Sequence, residues 1–247
     1  MKIIAVFNIK GGVGKTATAV NLAALSASGG NKTLLVDMDP QGASTFYFHI
    51  DEAEQKHSKK MFSENPDAEK AIMKSKYDHL DIIPADHNYR KMDNLLSKMK
   101  DGKKWLRNLF KPVSRKYDYV ILDCPPSITL FSENILRNAD MILVPVIPTT
   151  LSTRTYDQLV EFVNEQKIDR KKIFPFFSMY ERRKNLHNES ITEFASRYHE
   201  CIDVAIPYIS DIERMGVVRK PYVESHPHDE ITYLYKQLWK AVRKKVG

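Results

Sequence analysis

The chain has 247 residues and a net charge of +7, and 43% of its residues are hydrophobic and 28% charged, which is typical of a globular protein that buries its own core. This composition excludes a membrane-spanning protein, because no apolar run approaches the ~20 residues that a spanning helix requires, and no signal-peptide cleavage site follows the N-terminal apolar run. Two cysteines, Cys124 and Cys201, are too few for a disulfide framework, which predicts a cytoplasmic protein.

Short apolar runs alternate along the chain with longer helix-like stretches, which predicts parallel βαβ units and an α/β fold in one domain, residues 1–247. Several runs are apolar throughout, as in strands covered on both faces. Residues 49–77 are polar and rich in lysine, and we expect short surface helices there. The predicted strands are Lys2–Asn8, Thr33–Asp37, Leu80–Pro84, Tyr119–Asp123, Met141–Val146, Lys172–Ser178 and Val204–Ile206, and the predicted helices are Lys15–Ser28, Thr155–Gln166 and Ser190–Glu200.

The first connection, NIKGGVGKTAT (residues 8–18), has the features of a phosphate-binding loop. An apolar strand precedes it, and a helix is predicted from Lys15, as in the P-loop pattern G-x-x-x-x-G-K-[ST]. Ile9 stands where that pattern has its first glycine, and an additional lysine, Lys10, follows. Glycines allow backbone N–H groups to surround phosphate oxygens, and the helix N-terminus adds a positive dipole end. Lys15 is expected to reach the β- and γ-phosphates, and the Thr16 hydroxyl to ligate Mg²⁺.

Carboxylates follow two of the other predicted strands. Asp37 and Asp39 end the second strand in LLVDMDPQG, and Asp123 ends the fourth in YVILDCPPS. Each could be a helix cap or a turn residue if taken alone. Because ligands bind beyond the carboxyl ends of parallel strands, we expect these residues to converge on the loop, hold Mg²⁺ with its waters and place an attacking water.

Together, KGGVGKT, VDMDPQG and LDCPPS resemble the deviant-Walker-A P-loop ATPases of the ParA and MinD family, in particular the small Soj-like partition ATPases. A weaker likeness extends over nearly the whole chain. The resemblance implies a three-layer sandwich with a mostly parallel sheet, the cofactors ATP and Mg²⁺, and a face-to-face homodimer that forms with ATP. In that dimer Lys10 reaches the partner subunit's nucleotide, where a cation stabilises charge on the transferred phosphoryl group.

The resemblance also implies roles for individual residues. Asp39 matches the residue that orients the attacking water, and Asp123 would bind Mg²⁺ through water. Ala17 departs from the usual threonine and removes a hydroxyl near the α-phosphate. The implied catalytic residues are Lys10, Lys15, Asp39 and Asp123; the implied metal site is Thr16, Asp37 and Asp123; and the implied nucleotide contacts are Lys10, Gly11, Gly12, Val13, Gly14, Lys15, Thr16, Ala17, Met179, Pro207 and Ile209.

Residues 214–247 carry eight basic against three acidic residues, which agrees equally with contact to an anionic partner and with an ordinary solvated surface. One interpretation is a nucleoid-associated partition ATPase, whose ATP-bound dimers bind DNA without sequence preference until a ParB-like or other cargo-adaptor protein stimulates hydrolysis. Such binding depends on neutralising phosphates. The predicted DNA-binding residues are Arg182, Arg183, Arg214, Arg219, Lys220, Lys240, Arg243 and Lys244.

Two other functions remain open. A MinD-like ATPase would bind membrane through the C-terminal stretch, in which six apolar residues recur at helical spacing among basic ones; packing of this helix on the sheet is the alternative. A metabolic enzyme of the same fold is also considered. A nitrogenase-type iron protein needs two cysteines per subunit around a shared cluster, and amide-forming relatives lack the additional lysine. Because the loop begins near residue 8, we expect no N-terminal helix-turn-helix domain, and the cargo stays open between chromosome, plasmid and protein assembly. The six apolar residues are Ile231, Leu234, Tyr235, Leu238, Trp239 and Val242.

Overall fold

The protein is described by a computed structural model that covers residues 1–50 and 59–247. Eight strands form one sheet in this part of the chain: β1 (Lys2–Val6), β2 (Thr33–Asp37), β3 (Met73–Lys74), β4 (Leu80–Ile83), β5 (Tyr119–Asp123), β6 (Met141–Val146), β7 (Ile173–Tyr180) and β8 (Ile202–Pro207). Their order is β3-β4-β2-β5-β1-β6-β7-β8. Every neighbouring pair is parallel except the edge pair β3 and β4.

Helices connect the strands on both faces of the sheet. The α-helices of the described residues are α1 (Lys15–Ser28), α2 (Ala43–Tyr47), α3 (Met92–Lys98), α4 (Trp105–Phe110), α5 (Leu130–Asn138), α6 (Thr150–Glu165), α7 (Asn185–Arg197), α8 (Ser210–Glu213), α9 (Met215–Val218), α10 (Tyr222–Ser225) and α11 (Glu230–Val246). Short 3-10 helices cover Lys59–Phe62, Glu69–Ala71, His87–Lys91, Gly102–Lys104, Lys111–Val113 and Arg170–Lys172.

The alternation of side chains along each strand builds two cores, one on each face of the sheet. On β1, Ile3 and Ala5 pack on one face with helices α3 to α7, whereas Ile4 and Val6 pack on the other with α1, α9, α10 and α11. Because both faces are covered, the strands are buried along nearly their whole length, as in TLLVD and MILVPV. The predicted three-layer α/β sandwich is confirmed.

Most predicted elements exist, and the differences lie at their ends. β2, β5, β6 and α1 have the predicted bounds. Helix α6 begins at Thr150 instead of Thr155, because the Thr149 side chain caps the helix by accepting a hydrogen bond from the Ser152 N–H. Helix α7 begins before its predicted start at Ser190, and β8 extends the predicted 204–206 strand in both directions.

The least regular predicted segment, residues 49–77, is only partly described, because residues 51–58 lie outside the described part of the chain. Two short 3-10 helices in the remainder agree with the prediction of short surface helices. The sequence pattern missed β3, which pairs antiparallel with β4 through Met73 and Lys74. Two residues at a sheet edge are too few to produce a periodic signal.

The C-terminal helix α11 packs its apolar stripe on the sheet. Tyr235, Leu238 and Val242 are buried. Trp239 makes an edge-to-face contact with Tyr119 on β5, with ring centroids 5.0 Å apart. Most of the apolar residues on which the membrane-binding interpretation depended are therefore buried against the sheet in this structure. None of the helices within residues 1–50 and 59–247 has the length and apolarity that crossing a membrane requires.

We predict that Leu238→Ala lowers the free energy of unfolding by about 2–5 kcal/mol, because a fully buried leucine is replaced by a cavity. Urea denaturation followed by circular dichroism measures the change. Lys240→Ala on the exposed side of α11 is the control and should change stability by less than about 0.5 kcal/mol. Equal effects of the two variants would contradict the packing of α11 on the sheet.

Candidate nucleotide site

The glycine loop follows β1 at the point where the strand order reverses, with β5 on one side of β1 and β6 on the other. Open α/β sheets bind ligands at such a position. Gly12 and Gly14 have φ of 70° and 87°, a left-handed conformation that glycine adopts without strain. Gly14 is the N-cap of α1 and provides no side chain to cap its first N–H groups. These donors are therefore available to an anion.

The space around the loop is open on one side and closed on the other. A methyl group at Gly11 or Gly12 would meet no atom within 4 Å, whereas one at Gly14 would lie 2.8 Å from Ser178 Oγ at the end of β7. The loop thus packs against β7 and leaves its glycine-rich rim open. Val13, between these glycines, is buried and anchors the loop.

The two lysines of the loop have different environments. Lys15 is buried, and its Nζ donates to the Lys10 carbonyl at 3.0 Å. Burial lowers the pKa of Lys15, while the nearby Asp123, Cys124 and Asp39 oppose that shift. The Lys10 backbone N–H donates to Asn8 Oδ1 at 2.9 Å, but its ammonium group has no ion pair or hydrogen bond with any residue that the structure describes.

Asn8 is a site residue that the sequence pattern missed. Its Nδ2 donates to the Pro145 carbonyl at 2.7 Å, near the end of β6, while its Oδ1 holds the Lys10 N–H. One buried amide thereby ties the start of the loop to the neighbouring strand. No local signal marks this role, because the partner is 137 residues away.

The predicted carboxylates Asp37 and Asp123 are directly opposite each other on neighbouring strands. Asp37 Oδ2 accepts hydrogen bonds from the Thr45 N–H at 2.8 Å and the Thr45 hydroxyl at 2.7 Å. Asp123 accepts one from the Ser44 hydroxyl at 2.6 Å. The first turn of α2 is therefore bonded to both strand ends. Sequence reasoning missed Ser44 and Thr45, since a Ser-Thr pair after a turn has many ordinary uses.

The two carboxylates differ in the acceptors that they leave for a metal. Asp37 is completely buried and accepts hydrogen bonds from Thr45 and from the Asp39 N–H, so its carboxylate anchors α2. Its predicted part in the metal site stays a prediction. Asp123 Oδ1 is buried and has no hydrogen-bond partner. An orphaned buried carboxylate oxygen is costly, and a Mg²⁺-bound water would satisfy it.

The donor set near Asp123 fits Mg²⁺ only together with phosphate and water. Within the residues described, no group of three or more His, Cys, Asp or Glu side chains could hold a metal ion by itself. Mg²⁺ usually keeps several waters and is bound by one or two protein oxygens plus substrate phosphates. The Thr16 hydroxyl and Asp123 agree with that arrangement.

Burial, and to a smaller extent a neighbouring carboxylate, raises the pKa values of Asp37 and Asp123. For Asp37, burial first and the charge of Asp123 second raise the pKa to about 8, against the effect of the bonds from Thr45. Burial raises the pKa of Asp123 to about 6, although the hydroxyls of Ser44 and Thr16 and the charge of Lys15 favour its ionised form. Without metal and nucleotide, the pair retains protons that free carboxylates would lose.

Asp39 lies on the loop after β2, half-buried, and accepts the Gln41 N–H at 2.9 Å. It is close enough to Lys15 to raise the pKa of that lysine. Its predicted role in placing a water stays a prediction.

The predicted adenine contacts lie on the ends of the two adjacent strands β7 and β8. Met179 has a φ of 55°, which is uncommon outside glycine and often found at binding sites. Pro207 ends β8, and the Tyr208 N–H donates to the Tyr180 carbonyl at 3.0 Å, so the two strand ends are joined. Ile209, the N-cap of α8, follows directly. Contact of Met179, Pro207 and Ile209 with a base stays a prediction.

Ala17 lies in the first turn of α1, half-buried. The next residue does not replace the missing hydroxyl, because Thr18 Oγ1 is bonded to the Gly14 carbonyl at 2.8 Å. Only backbone donors are thus available at this position.

Cys124 follows β5 and lies where the parallel strands end, whereas Cys201 precedes β8 and lies where they begin. We call these two sides of the sheet its carboxyl edge and its amino edge. Cys124 is fully buried, and burial raises the pKa of its thiol. One chain therefore does not bring its cysteines together around a cluster, which argues against the iron-protein interpretation.

The structure divides the predicted DNA-binding residues into two groups. The amino edge of the sheet holds the end of α11, as shown by Lys245, whose ammonium lies 4.6 Å from the ring centroid of Phe174 near the start of β7. Arg219 is not an unbound surface residue: its Nε donates to the Phe46 carbonyl at 2.9 Å. At the carboxyl edge lie Arg182, Arg183, Arg214, Arg219 and Lys220; on the last turns of α11, toward the amino edge, lie Lys240, Arg243 and Lys244.

We predict that the nucleotide-free and Mg²⁺-free protein loses stability as the pH rises from about 4 to 8. The folded chain binds more protons than the unfolded chain in this range, because the carboxylate pKa values are raised in the folded state. Asp37→Asn keeps an oxygen for Thr45 but removes one titration. It should flatten the slope by up to about 1.4 kcal/mol per pH unit, measured by urea denaturation across the pH range. An unchanged slope would contradict the raised pKa of Asp37.

Comparison with known proteins agrees with this site. Residues 1–174 match a protein family described as an AAA domain. The chain is 30% identical over 247 residues to the sporulation initiation inhibitor protein Soj of Bacillus subtilis, covering 98% of each chain. It is also 30% identical over 213 residues to the chromosome partitioning protein ParA of Myxococcus xanthus, covering 83% of this chain and 75% of that protein.

The fold has close solved relatives. A plasmid partition protein from Borrelia burgdorferi bound to AMPPNP superposes with a TM-score of 0.84 at 23% identity, covering 99% of both chains. This likeness supports the fold, and the AMPPNP bound to that protein agrees with the expected cofactor. With the glycine loop, the strand-end carboxylates and these relatives together, the chain belongs to the ParA/Soj family of P-loop ATPases.

Proposed function

We propose that this chain is a partition-type ATPase that binds Mg²⁺-ATP, closes into a face-to-face dimer, binds DNA without sequence preference and is released when a partner stimulates hydrolysis. The observation that carries the proposal is Lys10. Lys10 lies in the glycine loop, half-buried, and its ammonium has no ion pair or hydrogen bond with any residue that the structure describes. A strongly hydrated cation beside a phosphate loop is suited to reach a triphosphate supplied with a second subunit.

Hydrolysis would be divided among five residues. Lys15 would contact the β- and γ-phosphates from its buried position, and Asp39 would orient the attacking water. Thr16 and Asp123 would hold Mg²⁺, which neutralises phosphate charge when it is bound. Lys10 of the partner subunit would complete the charge stabilisation, so the reaction would depend on the dimer.

The basic residues of the carboxyl edge are the better candidates for ATP-dependent DNA binding. Arg182 and Arg183 are exposed on the loop after β7, and Arg214 and Lys220 are exposed around α9, on the same edge as the nucleotide site. Dimer closure at this edge would bring two such sets together. Lys240, Arg243 and Lys244 would add a second contact region farther from the nucleotide.

The cargo and the activating partner are proposed at the level of class. The Myxococcus xanthus relative is named a chromosome partitioning protein and the Borrelia burgdorferi protein a plasmid partition protein, and for this chain a ParB-like or other cargo-adaptor protein would stimulate hydrolysis. Membrane binding through α11 is the weaker alternative, since its apolar stripe is buried against the sheet.

We predict that Lys10→Ala still binds ATP but does not form an ATP-dependent dimer and does not turn over. Light scattering after size exclusion, with fluorescent-nucleotide titration and phosphate release, measures the three properties. Asp39→Ala is the companion variant, which should bind ATP and dimerise without hydrolysing it. A Lys10→Ala protein that dimerises and hydrolyses ATP normally would remove the proposed role in trans.

We predict that a double substitution, Arg182→Ala with Arg183→Ala, weakens ATP-dependent binding to nonspecific duplex DNA. The slope of log K against log salt concentration should become shallower by about 0.9 for each lost phosphate contact. Fluorescence anisotropy at several salt concentrations measures both. The matched control is Lys98→Ala with Lys100→Ala, two exposed lysines outside the predicted DNA-binding set. Equal losses in both double variants would indicate a net-charge effect, and no loss in either would exclude the loop after β7.

A further inference from the structure

Exposed apolar side chains are concentrated at the carboxyl edge of the sheet. Within residues 1–50 and 59–247, ten large apolar side chains are exposed, and eight of them follow the carboxyl ends of strands. Met1 and Tyr233 are the two exceptions. The eight are Phe46, Ile128, Leu130, Leu151, Leu186, Tyr208, Val217 and Val218. A folded chain scatters such residues singly, so their concentration on one edge indicates a surface that another macromolecule covers.

Three of these eight residues form a patch, here called the α2/α9 patch: Phe46 on α2, and Val217 and Val218 on α9. Their exposed fractions are 48%, 79% and 50%. Helix α9 packs against α2, where a methyl group at Gly216 would lie 3.6 Å from the ring of Tyr47. The patch therefore belongs to two elements that are in contact.

Arg219 holds the two halves of the patch together. Its Nε donates to the Phe46 carbonyl at 2.9 Å, and its guanidinium carbon lies 4.4 Å from the centroid of the Phe46 ring. A cation over a ring face, combined with a hydrogen bond, restricts both side chains. Phe46 is thus ordered although half of it is exposed, and a preordered apolar surface loses less entropy on binding.

The charges around the α2/α9 patch include both signs. Asp211 and Glu213 lie on α8, and Arg214 and Lys220 flank α9; all four are exposed. None of these four residues forms an ion pair with another residue that the structure describes. DNA favours a uniformly basic surface, whereas an apolar centre with both acidic and basic neighbours can complement a copy of itself across a two-fold axis.

The patch is also connected to the proposed metal site. Helix α2 carries Ser44, whose hydroxyl is bonded to Asp123, only two residues before Phe46. Any rearrangement around Asp123 on binding Mg²⁺-ATP would therefore act on the element that carries Phe46. An interface that included α2 would be sensitive to the occupancy of the nucleotide site.

From these contacts we propose that the α2/α9 patch is buried against a second copy of this chain in the ATP-bound state. The inference rests on the ATP-dependent dimer proposed above and adds to it a second contact region besides the glycine loop, on the same edge of the sheet. Because α2 carries both Phe46 and the Ser44 that is bonded to Asp123, this contact between subunits would depend on the occupancy of the metal site.

The first test uses Val217→Asp in the Asp39→Ala background, with Mg²⁺-ATP. A charge in an apolar contact should weaken dimerisation by about tenfold or more, while monomers still bind a fluorescent ATP analogue as the parent does. Analytical ultracentrifugation measures the dimer. Tyr233→Asp is the control, because Tyr233 is 60% exposed on α11 and lies away from the carboxyl edge; it should dimerise like the parent.

A second measurement keeps the proposal testable if the charged variant folds poorly. Val217→Cys in the same background is labelled with a monofunctional maleimide, and its labelling rate should fall several-fold when ATP is added without DNA; that of Tyr233→Cys should not change. A parent protein that stays monomeric with ATP would contradict the proposed function itself. A parent that dimerises while position 217 labels at an unchanged rate, or is protected only when DNA is added, would overturn the α2/α9 interface.

Discussion

The register of three neighbouring parallel strands is the constraint on which the rest of the site depends. Val6 pairs with Asp123, and Asp123 pairs with Asp37, so the glycine loop and two carboxylates leave the sheet at the same level. Parallel pairing at this depth requires cover on both faces, and the two cores provide it. A slip by one residue would turn Asp123 away from the loop, because successive side chains alternate between faces.

Burial gives these carboxylates their chemical character. Two acids that face each other at the end of a dry sheet do not both ionise readily, so the nucleotide-free site retains protons and an oxygen without a partner. The folded chain therefore maintains a locally unfavourable arrangement that Mg²⁺ and a triphosphate would relieve. Hydrogen bonds from Ser44 and Thr45 connect both carboxylates to α2. This short helix is therefore the element most directly affected by the occupancy of the site.

The sequence patterns predicted the fold class, seven of the eight strands found in residues 1–50 and 59–247, and the loop with its lysines, because these features repeat over a few residues or occupy adjacent positions. They did not predict Asn8, Ser44 or Thr45 as parts of the site, since hydrogen bonds between residues far apart in the chain leave no local pattern. They placed Asp37 in the metal site, which stays a prediction, and did not predict that its carboxylate is bonded to Thr45. The apolar stripe of α11 was recognised as amphipathic, but its spacing does not distinguish a sheet from a membrane as its partner.

By itself, then, the sequence determined the chemistry available: a glycine loop with two lysines, acids at strand ends and an excess of basic residues. Only the tertiary structure decided which of these groups meet. It divided the basic residues between two edges of the sheet, separated Cys124 from Cys201, and concentrated exposed apolar side chains beside the nucleotide site. The physical reason is that local conformation follows from neighbouring residues, whereas proximity and exposure follow from how the layers pack around the core.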